Sequence, residues 1–156
     1  MKNHKDKYTH QAPVTDALFT LLTTRLANHP ANSLLGFSLE ELRELYACLR
    51  LTHREAITNG PRSHGTIHGG IVAALADTAA AFALSTAFEG KMSFATVDLH
   101  ITYLSRAKST IFAHAVVIRR GARINVCEVK ITDESDALVA TATVNFILTQ
   151  PPETKS

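Results

Sequence analysis

The stretch TIHGGIVAALADTAAAFALS, residues 66–85, decides the fold. Its apolar residues fall on nearly every side of a helical wheel. The spacing therefore predicts one long helix from about Gly69 to Phe88, closed by Gly90. A helix apolar all round is buried rather than laid on a surface. Two features run against helix stability. Gly69 and Gly70 stand at the start, and Asp77 stands among alanines. Glycine costs a helix interior roughly 1 kcal/mol against alanine. At a helix start, however, the missing side chain lets another group reach the backbone. The first-turn N–H groups are unpaired there and carry the positive end of the helix dipole, which suits an oxyanion. A packing reading also stands, in which the glycines only admit a neighbouring strand.

Asp77 carries the sharper signal. Its helical neighbours at three and four residues are Ala73, Ala74, Ala80 and Ala81, so it has no local cationic partner. Burying an unpaired carboxylate is costly and raises its pKa. Such a group suits a general base, or a nucleophile toward a carbonyl. The small alanines leave room for a substrate beside it. The alternatives are a wet stripe on the helix or an arginine supplied by another strand.

The rest of the chain bounds the answer. Its 156 residues make one domain, large enough for a core without disulfide or metal staples. A net charge of +2, with no long basic run, argues against a nucleic-acid partner. Ile71 to Phe88 is long enough to raise the question of a membrane span. Its alanines, threonines and single carboxylate fit a buried helix better, so no membrane partner is expected. Cys48 and Cys127 are far apart and match no metal spacing. With no export signal in the polar residues 1–12, two free buried thiols in a reducing cytoplasm are expected.

Working outward, residues 1–12 and 151–156 read as disordered ends flanking a single domain at 13–150. Val14, Leu18, Leu21, Leu22 and Leu26 predict an N-terminal helix over 14–28, starting near Pro13 or Thr15. NHPANS (28–33) reads as a loop. Residues 34–57 read as two strands with a turn near Arg43 and Glu44, although the EELREL core (40–45) also fits a helix; in the second strand, Leu45, Ala47, Leu49 and Leu51 alternate with Tyr46, Cys48, Arg50 and Thr52. TNGPRSHG (58–65) is a turn-rich loop. After the long helix come strands over 96–103, 111–119, 124–132 and 138–148. The last three are joined by short loops into an antiparallel meander. A curved sheet of five or six strands wrapped around one helix, in the α+β class, is the economical packing. A small sheet of that kind leaves edge strands to cover, which argues for self-association.

GTIHGGIVAALADTA (65–79) followed by TVDLHITYLSRAK (96–108) resembles the hotdog-fold acyl-CoA thioesterases, specifically the phenylacetate-degradation type. The shared pattern is H-G-G at the start of the central helix, an Asp seven residues after the second Gly, and a V-D-x-x-x-x-Y/F strand. In this chain these are His68, Gly69, Gly70, Asp77 and Val97–Asp98 through Tyr103, and the likeness runs from about Leu34 to Leu148. The resemblance implies a hotdog fold and hydrolysis of a small, aromatic or medium-chain acyl-CoA. It implies a homodimer or homotetramer, with no cofactor beyond the coenzyme A of the substrate. It assigns the oxyanion donor to the N–H of Gly69, with Asp77 and Thr96 coming from the partner subunit. Thr96 would orient the attacking water, though a threonine on a strand also serves as a plain β-former.

His68 is expected to orient the loop or pack beside the substrate, with Gly70. One departure concerns substrate binding. Much of the family has an Asn six residues before the HGG histidine, where this chain has Arg62. Asn59 lies three residues earlier and is the candidate substitute. Arg62 is a candidate for a carboxylate or phosphate of the substrate. Arg106 and Lys108, with Arg119, Arg120 and Arg123, are candidates for the coenzyme A phosphates, or else solvated turn charges. His64 and His68 have a helical metal spacing, but Pro61 and Gly65 place them in a loop with no carboxylate or Cys near, so no metal is expected. Two other functions remain open. A hotdog dehydratase or hydratase would need a D-x-x-x-x-H arrangement that is absent. A non-catalytic acyl-CoA-binding hotdog protein is kept open by Arg62.

Overall fold

Thr15 starts the first helix: its hydroxyl accepts the Leu18 N–H at 3.2 Å. In the computed structural model, which describes residues 11–149, that helix is α1, Asp16–Asn28. It buries Leu22 and Leu26. A second helix, α2 at Pro30–Leu35, replaces the loop expected at 28–33. Pro30 fits the first turn, where its missing N–H costs nothing. Gly36 ends the helix at φ 76°, with its N–H bonded to the carbonyls of Asn32 and Ser33. Pro and Asn read as loop residues, yet here they bound one short helix.

Two strands follow, β1 (Phe37–Arg43) and β2 (Tyr46–Leu51), then the long helix α3 (Gly69–Thr86). Four more strands complete the chain: β3 (Ser93–Tyr103), β4 (Ile111–Arg119), β5 (Ile124–Asp133) and β6 (Leu138–Thr149). All pair antiparallel in the order β1-β2-β4-β5-β6-β3. The expected meander is β4-β5-β6, and the architecture is the hotdog.

Helix α3 lies along the inner face of this sheet. Val72, Leu75, Ala76, Ala79, Ala80, Ala83 and Leu84 are buried. They meet Ala47, Leu49 and Leu51 of β2, Ala113 and Ala115 of β4, and Val129 and Ile131 of β5. Leu75 and Leu84 are fully buried, which by transfer is worth about 2 kcal/mol each. The alanines let helix and sheet approach closely; the Cys127 Sγ sits 3.6 Å from the Ala80 carbonyl oxygen. This is the helix that has the length and composition of a membrane span. Its place is the core of the fold.

The half-buried pattern expected for β2 is not what forms. Tyr46 and Cys48 are buried as well as Ala47 and Leu49. On that second face the Tyr46 hydroxyl is 3.1 Å from His114 Nδ1, and His114 Nε2 is 3.2 Å from Thr132 Oγ1. Strand β3 is the opposite case. It is an edge, it is 11 residues long, and most of it is exposed. Only Leu99, Ile101 and Phe94 pack inward, the last edge-to-face on Phe146 at 5.2 Å. The pairing of β3 with β6 shifts register between Thr96 and Asp98.

At the N-terminus, the Ala12 carbonyl accepts the Glu44 N–H and Pro13 pairs with Arg43. Gln11 and Ala12 thus join the folded part, slightly earlier than the expected boundary. The ends expected to be disordered otherwise lie outside the described residues.

Candidate active site

Helix α3 begins after a tied loop. Thr58 and Ile67 form a bridge, the Asn59 N–H donates to the Thr66 carbonyl, and the Ile67 N–H donates to the Ala107 carbonyl. His68 is the N-cap: its Nδ1 accepts the Gly70 N–H at 3.0 Å. Its carbonyl accepts the N–H groups of Ile71 and Val72, at 2.9 and 3.2 Å. The first-turn donors of Gly70, Ile71 and Val72 are therefore satisfied. The Gly69 N–H has no hydrogen-bond partner among the described residues. One donor at the positive end of the helix is left free for an oxygen to arrive.

The need for two glycines also becomes plain. A Cβ on Gly70 would meet the His68 ring at 2.9 Å, and one on Gly69 would meet the Tyr103 ring at 3.3 Å. The packing reading of the glycines is thus partly right, but the neighbours are two side-chain rings. The Tyr103 hydroxyl donates to the Gly69 carbonyl at 2.6 Å.

Asp77 projects from the flank of α3 that the sheet leaves open, beside Ala73, Ala74 and Ala81, which are only partly buried. The Thr96 hydroxyl donates to Asp77 Oδ1 at 2.8 Å. No ion pair reaches Asp77 among the described residues, so the arginine-paired alternative does not form. Burial raises its pKa above the ordinary carboxylate value, and the Thr96 bond pulls only partly the other way. Oδ2 remains available to take a proton.

Gly69 and Asp77 sit on one helix, eight residues apart, which is roughly 12 Å along its axis. One carbonyl group cannot touch both within a single chain.

The other candidates scatter. Asn59 and Arg62 are exposed on the loop before α3, Arg62 in a single 3-10 turn at Pro61–Ser63. His64, in that loop, has φ 52°. Arg106 and Lys108 flank Ala107 and so lie at the N-terminal end of α3. Arg119, Arg120 and Arg123 lie at the β4–β5 hairpin, at the other end. There Arg120 stacks over Phe88, 5.0 Å from the ring centre. The two basic groups do not form one patch within a chain. Cys48 and Cys127 are buried thiols outside any disulfide; burial pushes the Cys127 thiol up to about 12, which leaves it inert.

Tyr103 was visible in the sequence only as the aromatic end of the β3 pattern. Nothing in the spacing placed its hydroxyl against the start of α3.

The chain has known relatives. Residues 64–140, which carry both Gly69 and Asp77, match the family model described as Thioesterase superfamily. A protein of Halobacterium salinarum, provisionally named an esterase, is 32% identical over 130 residues, covering 82% of this chain and 86% of its own. The chain belongs to the thioesterase superfamily. With the family comes its enzyme class, thioester hydrolase. This superfamily member is also similar to the medium/long-chain acyl-CoA thioesterase YigI of Salmonella typhimurium, at 25% identity over 76% of this chain and 85% of the relative. Among solved structures, the PaaI protein from the phenylacetic acid degradation operon of E. coli superposes with a TM-score of 0.75. It covers 85% of this chain and 93% of its own at 22% identity, a likeness of fold.

Proposed function

We propose that this protein is a cytoplasmic acyl-CoA thioesterase of the phenylacetate-degradation type, working as a homodimer or a tetramer built from such dimers. The observation that carries the reading is Asp77: a carboxylate with no cation beside it among the described residues, raised in pKa by burial, and held by the Thr96 hydroxyl. A general base needs that combination, an accepting oxygen whose proton affinity has been brought toward the working pH.

Two copies pair along the exposed edge of β3, so that the Gly69 N–H of one chain faces Asp77 and Thr96 of the other. The ~12 Å between Gly69 and Asp77 within a chain supports this arrangement. Asp77 takes a proton from a water that Thr96 helps to orient, and the water oxygen bonds to the thioester carbonyl carbon. The negative charge on the carbonyl oxygen is met by the Gly69 N–H. The C–S bond then breaks, and the proton held on Asp77 passes to the departing coenzyme A sulfur. In the other route the Asp77 carboxylate attacks the carbonyl carbon itself, the C–S bond breaks to release the coenzyme A thiolate, which takes a proton from water, and a second water opens the resulting mixed anhydride. Single turnover in ¹⁸O-water bears on the choice: label in Asp77 requires the anhydride route, with water opening the anhydride at the Asp77 carboxyl carbon.

Arg106 and Lys108, at the Gly69 end of α3, are the cations placed to meet coenzyme A phosphates. Asn59 and Arg62 border the same end and bind the substrate there, in place of the usual Asn. His68 and Gly70 shape the floor.

The test is a panel of small, aromatic, medium- and long-chain acyl-CoAs with a thiol-detecting reagent, run on the wild type and on Asp77→Asn. Thiol release by the wild type, reduced about 10²-fold or more in the variant, is the expected result. No release from any thioester would leave the acyl-binding reading. Equal release by both proteins would remove Asp77 from the mechanism.

A further inference from the structure

Resting on the active-site reading above, we infer that Tyr103 is a positioning residue whose hydroxyl, together with the His68 ring, locks the Gly69–Gly70 peptide and so aims the Gly69 N–H. The peptide unit between these glycines is planar, and its two polar ends are both held. Its carbonyl oxygen accepts from the Tyr103 hydroxyl at 2.6 Å, and its N–H donates to His68 Nδ1 at 3.0 Å. The preceding peptide, which carries the Gly69 N–H, is held through the His68 carbonyl, which accepts from Ile71 and Val72; one peptide earlier, the His68 N–H donates to the Ile57 carbonyl at 2.9 Å. Every polar group flanking the Gly69 N–H is fixed, and that N–H alone is left pointing out.

The clamp answers a difficulty that the glycines create. Two adjacent glycines have the widest backbone freedom of any pair, and the first turn of a helix is where freedom is least restrained. A donor placed there is of little use to an oxyanion unless its direction is set beforehand, because reorientation during the reaction forfeits most of the gain. The rings that supply the restraint are also the neighbours that a side chain at either position would crowd. A Cβ on Gly69 would press on Tyr103, and one on Gly70 would press on His68. The two glycines and the two rings are therefore one device. Its fourth member comes from the far end of β3, the same strand that brings Thr96 to Asp77. One edge strand thus sets both halves of the chemistry, the donor through Tyr103 and the base through Thr96.

Tyr103→Phe keeps the ring and removes only the hydroxyl. Tyr103 is half exposed, so the variant folds with an unchanged melting temperature. The expected result is a fall in kcat of about tenfold, smaller than for loss of the donor itself. KM and the affinity for a non-hydrolysable acyl-CoA thioether stay within about twofold of wild type, since ground-state binding does not use the aim of the N–H. His68→Leu, which removes the acceptor for the Gly70 N–H, loses more of kcat than His68→Asn, which keeps an oxygen acceptor of N-cap type. Wild-type kcat in Tyr103→Phe, in a preparation where Asp77→Asn is inactive, overturns the positioning role while sparing the mechanism. A rise in KM with kcat unchanged also overturns it, by making Tyr103 a substrate contact. Activity in Asp77→Asn equal to wild type instead overturns the mechanism on which the inference rests.

Discussion

Gly69→Pro deletes one hydrogen atom from the chemistry. Proline has no N–H, and position 69 is the first residue of α3, the place where a helix accepts proline best. The residue before a proline must be extended, and His68 already is, at φ −58° and ψ 129°. The native N–H has no partner among the described residues, so no internal hydrogen bond is lost. The remaining cost is steric: the new Cβ lies 3.3 Å from the Tyr103 ring, which must yield by a few tenths of an ångström. Gly69→Ala carries the same Cβ and keeps the N–H, so the alanine variant is the control. The gain of about 1 kcal/mol that alanine brings to a helix interior is not expected here, because the residue is terminal and the ring opposes it. Removing one oxyanion donor costs about 10²–10³ in kcat, or roughly 2.7–4 kcal/mol. Thiol release measured at saturating acyl-CoA should therefore show Pro below Ala by that factor, with overlapping thermal melts. A proline variant within about threefold of the alanine variant would refute the assignment of the Gly69 N–H as oxyanion donor.

Two further outcomes test the base and the assembly. Burial raises the Asp77 carboxyl above the ordinary aspartate range. The folded chain thus holds this proton to a higher pH than the unfolded chain, and ionisation costs stability only as pH rises through that window. Asp77→Asn should melt above wild type at pH 7 and level with it near pH 3; a gain equal at both pH values would show that burial of the charge is not the cause. Mixing denatured Asp77→Asn and Gly69→Pro chains and refolding them together should restore about one quarter of wild-type activity, since half the dimers are mixed and each has one intact site. No restoration, with mixed dimers shown to form, would place the site within one chain.

The periodicity of residues 66–85 and the alternation of the later strands made the fold legible, because a helix apolar on every side has few ways to be buried. Asp77 was legible for the same reason, as a charge where the pattern demanded none. α2 was not, because Pro30 and Asn32 favour turns unless a helix happens to start at the proline. The second buried face of β2 escaped too. Tyr46 and Cys48 look like the polar half of an alternation, and only the Tyr46–His114–Thr132 contacts show how the sheet accommodates them. The basic groups illustrate a different limit: charge clusters in sequence say nothing of which end of a 27 Å helix, by the ~1.5 Å rise, each will occupy.

Under the proposed function, the glycines and the carboxylate need each other in the way the family resemblance implied, across two subunits. Read along the chain, Gly69 and Asp77 belong to one motif on one helix. Measured along that helix, they are too far apart to serve one carbonyl. In the dimer proposed above a second copy completes the motif, and the long exposed strand β3 is the edge available for that pairing. Thr96 and Tyr103 lie on that same strand, bonded to Asp77 and to Gly69. A change that weakened the β3 edge would loosen the pairing, the base and the donor together. Assembly and catalysis are thus expected to fail at the same protein concentration, as one event rather than two.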